Sequence, residues 1–299
     1  MPSRRRAGDE GQRNLRTDTD ILKQTAFELG FELVAVVRVG EVTGFDAFCR
    51  WIAAGYHAGM DYLSKNPEAR RNMNSVLPGV RSVLMLGVSY EKVLESENHS
   101  VKNLSGIAEY ARGIDYHDWI RRRLKTLSVK HRELFSCGKC RGAVDTAPIL
   151  ERSLAVDAGF GRIGKNTLLL TKEFGSKLFL AELLSTELLE PNRFEPKPDP
   201  CGDCHICLNA CPTGALIEPF VLDARRCLNY WTIEHHGSMP EEIREKIGDR
   251  FFGCDTCQSI CPWNRSRSEI SSGDTDPRSL DEAVLRKIAA GSPLERRFR

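Results

Sequence analysis

Along the first two thirds of the chain, apolar positions switch repeatedly between a helical and an alternating spacing. Thr17–Leu29 reads as a capped helix closed by Gly30, and Phe31–Val39 as a strand. A helix over Phe45–Ala54 follows, then a strand at Ser82–Ser89. Asp115–Phe135 predicts a long helix and Arg141–Asp145 a short strand. Pro148–Ala158 predicts another helix, with Pro near its start and Gly159 just past its end. Thr167–Thr171 and Leu178–Leu184 look like two strands joined by a turn at Glu173-Phe174-Gly175-Ser176. This alternation of strands and helices argues an α/β domain over residues 20–190. The proline-rich Glu190–Pro200 reads as the linker into a second module, residues 191–266. Residues 1–19 read as a disordered lead-in, and 267–299 as a polar tail with a helix-like segment at Leu280–Ala290.

Composition changes this picture little: 41% hydrophobic and 28% charged residues suit a soluble globular protein. The net charge of +2 imposes no global field, so partners have to be argued from local patches. No apolar run reaches bilayer-spanning length, and the arginines near the start have no apolar stretch behind them. A cytoplasmic protein with no membrane partner is therefore expected. One local patch stands out: Ala111–Gly142 has nine Lys and Arg against three acids, including Arg121-Arg122-Arg123. It reads equally as a phosphate-binding surface or as the solvated face of a helix.

The cysteines change the picture most. Eight of the eleven lie between Cys201 and Cys261, and in a cytosolic chain such crowding points to metal rather than disulfides. The first run is Cys201-x2-Cys204-x2-Cys207-x3-Cys211-Pro212. The second, Cys254-x2-Cys257-x3-Cys261-Pro262, lacks its first member, a place that Cys227 can fill if the intervening insert folds back. In bacterial-ferredoxin motifs the fourth cysteine of a run ligates the other cluster. That crossing rule assigns Cys201, Cys204, Cys207 and Cys261 to one 4Fe–4S cluster and Cys211, Cys227, Cys254 and Cys257 to a second. Zinc, the alternative for C-x2-C pairs, does not account for the x2-x2-x3-Pro pattern. Cys137 and Cys140 form a further C-x2-C with no second pair to complete a site, and read as ordinary thiols.

Gly159-Phe-Gly161-Arg-Ile-Gly164-Lys165-Asn166 satisfies G-x-G-x-x-G and nearly a P-loop, but a helix precedes it and a strand follows, the reverse of what nucleotide motifs require. The glycines are expected to make a tight turn or to admit a large flat ligand. Just upstream, Asp145 in Val144-Asp-Thr-Ala-Pro148 ends a strand before a helix, where α/β folds place reactive groups. Its plainer reading is a helix N-cap, supplied by Asp145 or Thr146.

Gly-Val-Arg-Ser-Val-Leu (79–84), Tyr-Ala-Arg-Gly-Ile-Asp-Tyr-His (110–117), Val-Asp-Thr-Ala-Pro-Ile-Leu-Glu-Arg (144–152), Gly-Lys-Asn-Thr (164–167) and Gly-Cys-Asp-Thr-Cys-Gln-Ser-Ile-Cys-Pro-Trp-Asn (253–264) together resemble the epoxyqueuosine reductase family. The resemblance implies an α/β cobalamin-binding domain followed by a bacterial-ferredoxin-like α+β module. It implies an oxidoreductase that removes the epoxide oxygen from epoxyqueuosine at the anticodon wobble position of tRNA, the last step of queuosine biosynthesis. Cobalamin lies between the two domains in that family, and Asp145 stands where its proposed proton donor stands. Arg71, Tyr110, Arg152, Asn166 and Asp255, with Asp145 itself, match positions expected to contact cobalamin.

The base-off motif Asp-x-His-x-x-Gly occurs only as Asp115-Tyr-His117-Asp-Trp-Ile120, without its glycine, so no histidine is expected on cobalt and His117 reads as structural. The sequence ends at Arg299, which implies a short form lacking most of the helical repeat region of full-length members. The resemblance also favours a monomer, and an electron donor remains to be identified. Two other readings compete: a reductive-dehalogenase-like cobalamin enzyme, and a non-catalytic electron-transfer protein. The insert between Cys227 and Cys254, with Asn229-Tyr-Trp231 and His235-His236, is long enough to form part of a cofactor or substrate wall.

Overall fold

The structure is a computed structural model that describes residues 4–95, 105–195 and 198–264. The expected Leu280–Ala290 segment, with the rest of the tail beyond 264, lies outside the described residues. In chain order the first elements are α1 (Arg4–Glu28), β1 (Leu33–Arg38), α2 (Phe45–Ala53), α3 (Asp61–Ser64), β2 (Ser82–Ser89) and α4 (Tyr90–Glu95). Next come α5 (Tyr116–Leu134), β3 (Cys140–Ala143), α6 (Glu151–Asp157), β4 (Gly161–Ile163), β5 (Leu169–Thr171) and β6 (Leu178–Ser185). The cysteine-rich part adds α7 (Ile206–Ala210), β7 (Leu216–Glu218), β8 (Val221–Leu222), α8 (Glu241–Ile247) and α9 (Thr256–Ser259).

The helix expected at Thr17–Leu29 begins at Arg4, so the lead-in expected to be disordered is helical over residues 4–19. Its Arg, Gln, Leu and Lys are good helix formers with no proline among them, and their high charge does not oppose a helix. The end falls where expected. Gly30 takes φ +96, and the Phe31 N–H returns to the Ala26 carbonyl at 3.2 Å.

Four strands form one sheet in the order β1-β2-β6-β3. Every pairing is antiparallel. The mixed α/β expectation therefore holds only in its broad sense, because hydrophobic periodicity locates strands without recording their direction. β2 and β6 occupy the centre, and all eight β2 residues are buried. One face of the sheet packs Val36, Leu84 and Leu183 against Leu22 and Ala26 of α1 and Trp119, Ile120 and Leu127 of α5. The other face packs Met85, Ala143 and Leu184 against Leu154 and Ala155 of α6.

The hairpin expected between Thr167–Thr171 and Leu178–Leu184 does not form. β5 pairs with β4 instead, while β6 runs to the centre of the main sheet. Gly161 permits this, since a Cβ there would sit 2.0 Å from the Leu170 carbonyl oxygen. The glycine-rich segment is thus a tight hairpin, as one of its two readings held.

The cysteine-rich part is fastened to the sheet domain by a buried amide network. Asn264 accepts the Ser176 N–H at 2.9 Å and donates to Ser176 Oγ at 2.9 Å and the Gln258 carbonyl at 2.8 Å. Gln258 Nε2 reaches the Ser176 carbonyl at 3.1 Å. Asn264→Leu would orphan the Ser176 N–H, while Ser176 Oγ keeps Gln258 Nε2 and the Gln258 carbonyl keeps the Cys261 N–H. We expect it to cost about 1–3 kcal/mol, read as a lower denaturant midpoint.

Candidate functional site

Asp145 follows β3 in a left-handed conformation, φ +57, which few non-glycine residues adopt. It does not cap α6: that helix starts at Glu151, three residues later than expected from Pro148, its N-cap is Leu150, and no side chain caps it. The carboxylate faces α5 instead. Oδ2 accepts from the Tyr116 hydroxyl at 3.2 Å and meets His117 Nε2 at 3.2 Å. The other imidazole nitrogen, Nδ1, lies 2.8 Å from Asp115 Oδ1. Asp115 also caps α5 by accepting the His117 N–H at 2.9 Å.

His117 is buried, and burial alone would lower its pKa. Its hydrogen bonds to Asp115 and Asp145 outweigh that, and the net shift is upward. Burial would raise Asp115, but the contacts with His117 hold it below the usual carboxylate range. Burial keeps Tyr116 protonated, so its hydroxyl is a donor. His117 was expected to be structural; both its nitrogens are committed to an Asp–His–Asp chain, which leaves neither for a metal. The signal was present in Asp115-x-His117, an acid two residues before a histidine at a helix start.

Other groups converge on Asp145 from both parts of the chain. Tyr62 of α3 interacts with Glu234 and Asp145, and burial is the largest cause of its raised pKa. Glu234 belongs to a π-helical turn, Tyr230–Glu234, in the insert between Cys227 and Cys254. Tyr230 of that turn accepts the Gly59 N–H at 3.1 Å. Tyr110 lies within range of Asp145, Asp255 and Glu234. Its ring stands 6.4 Å from those of Tyr116 and Phe252. Asp255 Oδ2 accepts the Glu109 N–H at 2.6 Å, tying the turn that carries Tyr110 to the cysteine-rich part.

Asn166 is buried and joins the two parts, donating to the Cys257 carbonyl at 3.3 Å and accepting the Leu168 N–H at 3.2 Å. Arg152 donates to the Thr167 carbonyl and so braces the same turn. Arg71 does not join this group. Its guanidinium is held by Glu68 at 2.6 Å and Glu41 at 2.7 Å and lies over the Phe45 ring. The neighbouring Arg70 is the arginine that interacts with Tyr62. Adjacent arginines in a short 3-10 turn point apart, which the sequence did not disclose.

Two groups of thiols match the crossing rule. Cys201, Cys204, Cys207 and Cys261 line one cavity of ≈ 180 Å³, together with Lys165, Asn166 and Trp263. The Lys165 N–H lies 3.3 Å from Cys201 Sγ. Cys211, Cys227 and Cys254 surround Cys257, whose thiol is pushed up first by burial and then by these neighbours. Four crowded thiols ionise together only with cations among them, which is the donor chemistry of an iron–sulfur cluster. Around Cys211, backbone N–H groups of Leu216, Thr213 and Ala215 outweigh burial and lower the thiol. Among the described residues no three His, Cys, Asp or Glu are set to hold a single metal ion. Cys201, Cys204, Cys207 and Cys261 ring a cavity rather than a point, an arrangement that suits a cubane better than zinc.

The remaining candidates carry little. Cys140 Sγ faces the Ser128 carbonyl at 3.7 Å. Arg121 pairs with Asp118 at 3.5 Å. Arg123 stacks 3.3 Å over Trp119 and donates to the Leu29 carbonyl at 2.8 Å. At least part of the basic run is therefore structural. No helix among the described residues is long and apolar enough to cross a membrane.

Comparison with known proteins bears on both parts. Residues 200–264 match the family described as "4Fe-4S double cluster binding domain", so the chain carries a domain for two 4Fe–4S clusters. Residues 70–146 match "Epoxyqueuosine reductase QueG, DUF1730". An epoxyqueuosine reductase of Pseudomonas aeruginosa is 39% identical over 296 residues, covering 92% of this chain and 80% of its own. An epoxyqueuosine reductase solved with an epoxyqueuosine-modified tRNA-Tyr stem loop superposes with a TM-score of 0.77 at 28% identity, over 91% of this chain and 75% of that one. The Bacillus subtilis reductase, solved with an aspartate-bearing catalytic loop swung out of the active site, gives 0.76 at 27% over the same shares. A four-stranded antiparallel sheet with its aspartate beside a double-cluster module, and this degree of identity over nearly its whole length, establish that the chain belongs to the epoxyqueuosine reductase family.

Proposed function

We propose that this protein reduces epoxyqueuosine in tRNA to queuosine in the cytoplasm, with Asp145 as the acid that protonates the opening epoxide oxygen. The carrying observation is the Asp115–His117–Asp145 chain, which is built to hold and replace one proton. Asp145 Oδ2 is occupied by Tyr116 and His117, so Oδ1 is the oxygen left to carry the proton that goes to substrate. As that proton leaves, the His117 imidazolium, steadied until then by Asp115, gives its Nε2 proton to Oδ2 and becomes neutral imidazole, with Nδ1–H still donated to Asp115. Tyr116 keeps the carboxylate turned toward α5 during the transfer.

The residues fit cobalamin seated between the two parts of the chain. Tyr110, Asn166 and Asp255 lie where both parts meet, and each contacts or interacts with the opposite part. Arg152 supports that turn, while Arg71 is withdrawn from the set and Arg70 enters it. When bound, cobalamin supplies the reducing centre for C–O cleavage and the two clusters its electrons, one at a time. Cys201, Cys204, Cys207 and Cys261 would hold one cluster, and Cys211, Cys227, Cys254 and Cys257 the other.

The solved relative with a modified tRNA stem loop supports a tRNA substrate, and the relative with a displaced aspartate loop supports a mobile proton donor. The strained φ of Asp145 agrees with a loop that has more than one resting place. The test is anaerobic purification with added cobalamin, then incubation with tRNA from cells lacking the reductase. Retained cobalt and conversion to queuosine are expected. Protein that holds its iron but neither retains cobalt nor converts tRNA would overturn the reading and favour simple electron transfer.

A further inference from the structure

β6 carries an acid where the central strand of a sheet ordinarily carries an apolar side chain. Glu182 is 0% exposed, and its cross-strand partners are Met85 and Ala143. Neither carboxyl oxygen has an N–H or hydroxyl partner among the described residues, and the side chain that meets it is the carboxyl of Glu151. The acid that acts on it most strongly is Glu151 at the start of α6, with Asp145 behind. Glu151 in turn reaches back to the loop: its Oε1 accepts the Asp145 N–H at 2.7 Å. That bond fixes the one residue of the loop whose backbone is left-handed, and no helix cap shares the task.

A lone carboxylate in this apolar layer would carry a heavy desolvation cost, whereas a protonated acid facing a second carboxyl would not. Burial pushes both Glu182 and Glu151 up; Glu151 adds to the rise of Glu182, and Asp145 to that of Glu151. The other groups facing them are Asp145, Arg152 and His117 around Glu151, and Tyr116, Tyr62 and Glu234 around Asp145.

Resting on the reading of Asp145 as proton donor, we infer that Glu182 is a positioning residue: it keeps a proton, donates it to Glu151, and thereby holds Glu151 against the Asp145 amide. If the pair lost that proton, two carboxylates would face each other in an apolar layer with a third beside them. Glu151 is the half-buried member, so it is the one able to turn outward to water, and in doing so it releases the amide. The proton on Glu182 therefore acts as the latch that keeps Asp145 in the site.

The experiment is amide hydrogen exchange of the 144–150 segment in anaerobic, iron-replete protein without cobalamin, corrected for the intrinsic pH dependence of exchange. In the wild type, protection is expected to fall as the pH is raised from about 6 to about 9. Glu182→Gln keeps a donor that cannot ionise, and its protection is expected to stay level across that range. Glu182→Met removes the donor, and protection is expected to be about tenfold lower at every pH. If that variant fails to fold, Glu182→Gln alone decides. A wild type with flat protection, or a Glu182→Gln protein that loses it in step with the wild type, would overturn the inference. Because exchange needs neither cobalamin nor tRNA, the answer stands apart from whether the reductase reading survives.

Discussion

Asp145→Asn is expected to lower conversion of epoxyqueuosine tRNA by about 10²–10⁴-fold, the usual loss on removing a positioned general acid, while iron and cobalt contents stay at wild-type levels. The substitution isolates the proton. Asparagine keeps the shape of the side chain and an oxygen that accepts from Tyr116 and His117. The Asp145 N–H to Glu151 belongs to the backbone and is untouched. Asparagine also tolerates the left-handed conformation at φ +57 as well as aspartate does, so the loop has no reason to move. Asp145→Ala would be a poorer probe, since it adds backbone strain and removes both side-chain contacts at once. Single-turnover conversion under anaerobic conditions, with metal analysis of the same sample, reads the effect. Turnover at the wild-type rate in the asparagine variant would leave Asp145 without a proton to give.

The residues that carry this chemistry were unevenly legible. Spacing alone brings together Cys201, Cys204, Cys207 and Cys261, the four thiols that line one cavity. Asp145 could be found as the acid ending a strand, but its helix-cap reading was excluded only by α6 beginning at Glu151. His117 looked structural because a histidine at a helix start says nothing about what stands opposite it. The partner that gives it a role, Asp145, is 28 residues away. Glu182 was invisible for a related reason. An acid inside Leu178–Leu184 reads as a position facing water, and only the sheet order puts β6 at the centre with that side chain beneath α6. The direction of the strands, the β4–β5 hairpin and the parting of Arg70 from Arg71 are all matters of tertiary pairing, to which local period is blind.

Ligand exchange across the two cysteine runs leads to the other large effect. Cys207→Ser and Cys211→Ser are expected to remove different clusters although the two residues are four apart. Cys207 lines the cavity shared with Cys201, Cys204 and Cys261. Cys211 belongs with Cys227, Cys254 and Cys257. Each variant should lose about half the iron and one of two signals in the reduced protein, with Cys261→Ser matching Cys207→Ser and Cys227→Ser matching Cys211→Ser. Conversion of tRNA should be abolished in all four, since electrons must pass along the pair. Cobalamin retention should separate them. Cys254 and Cys257 flank Asp255, whose carboxylate anchors the turn that carries Tyr110, and the Cys257 carbonyl accepts from Asn166. Loss of that cluster loosens both anchors. Loss of the other acts at the Lys165–Asn166 end of the hairpin turn and leaves the Asp255 and Cys257 bonds in place. A Cys261→Ser protein that loses the same signal as Cys227→Ser would mean that each run builds its own cluster. The cavity lined by Cys201, Cys204, Cys207 and Cys261 would then require another occupant.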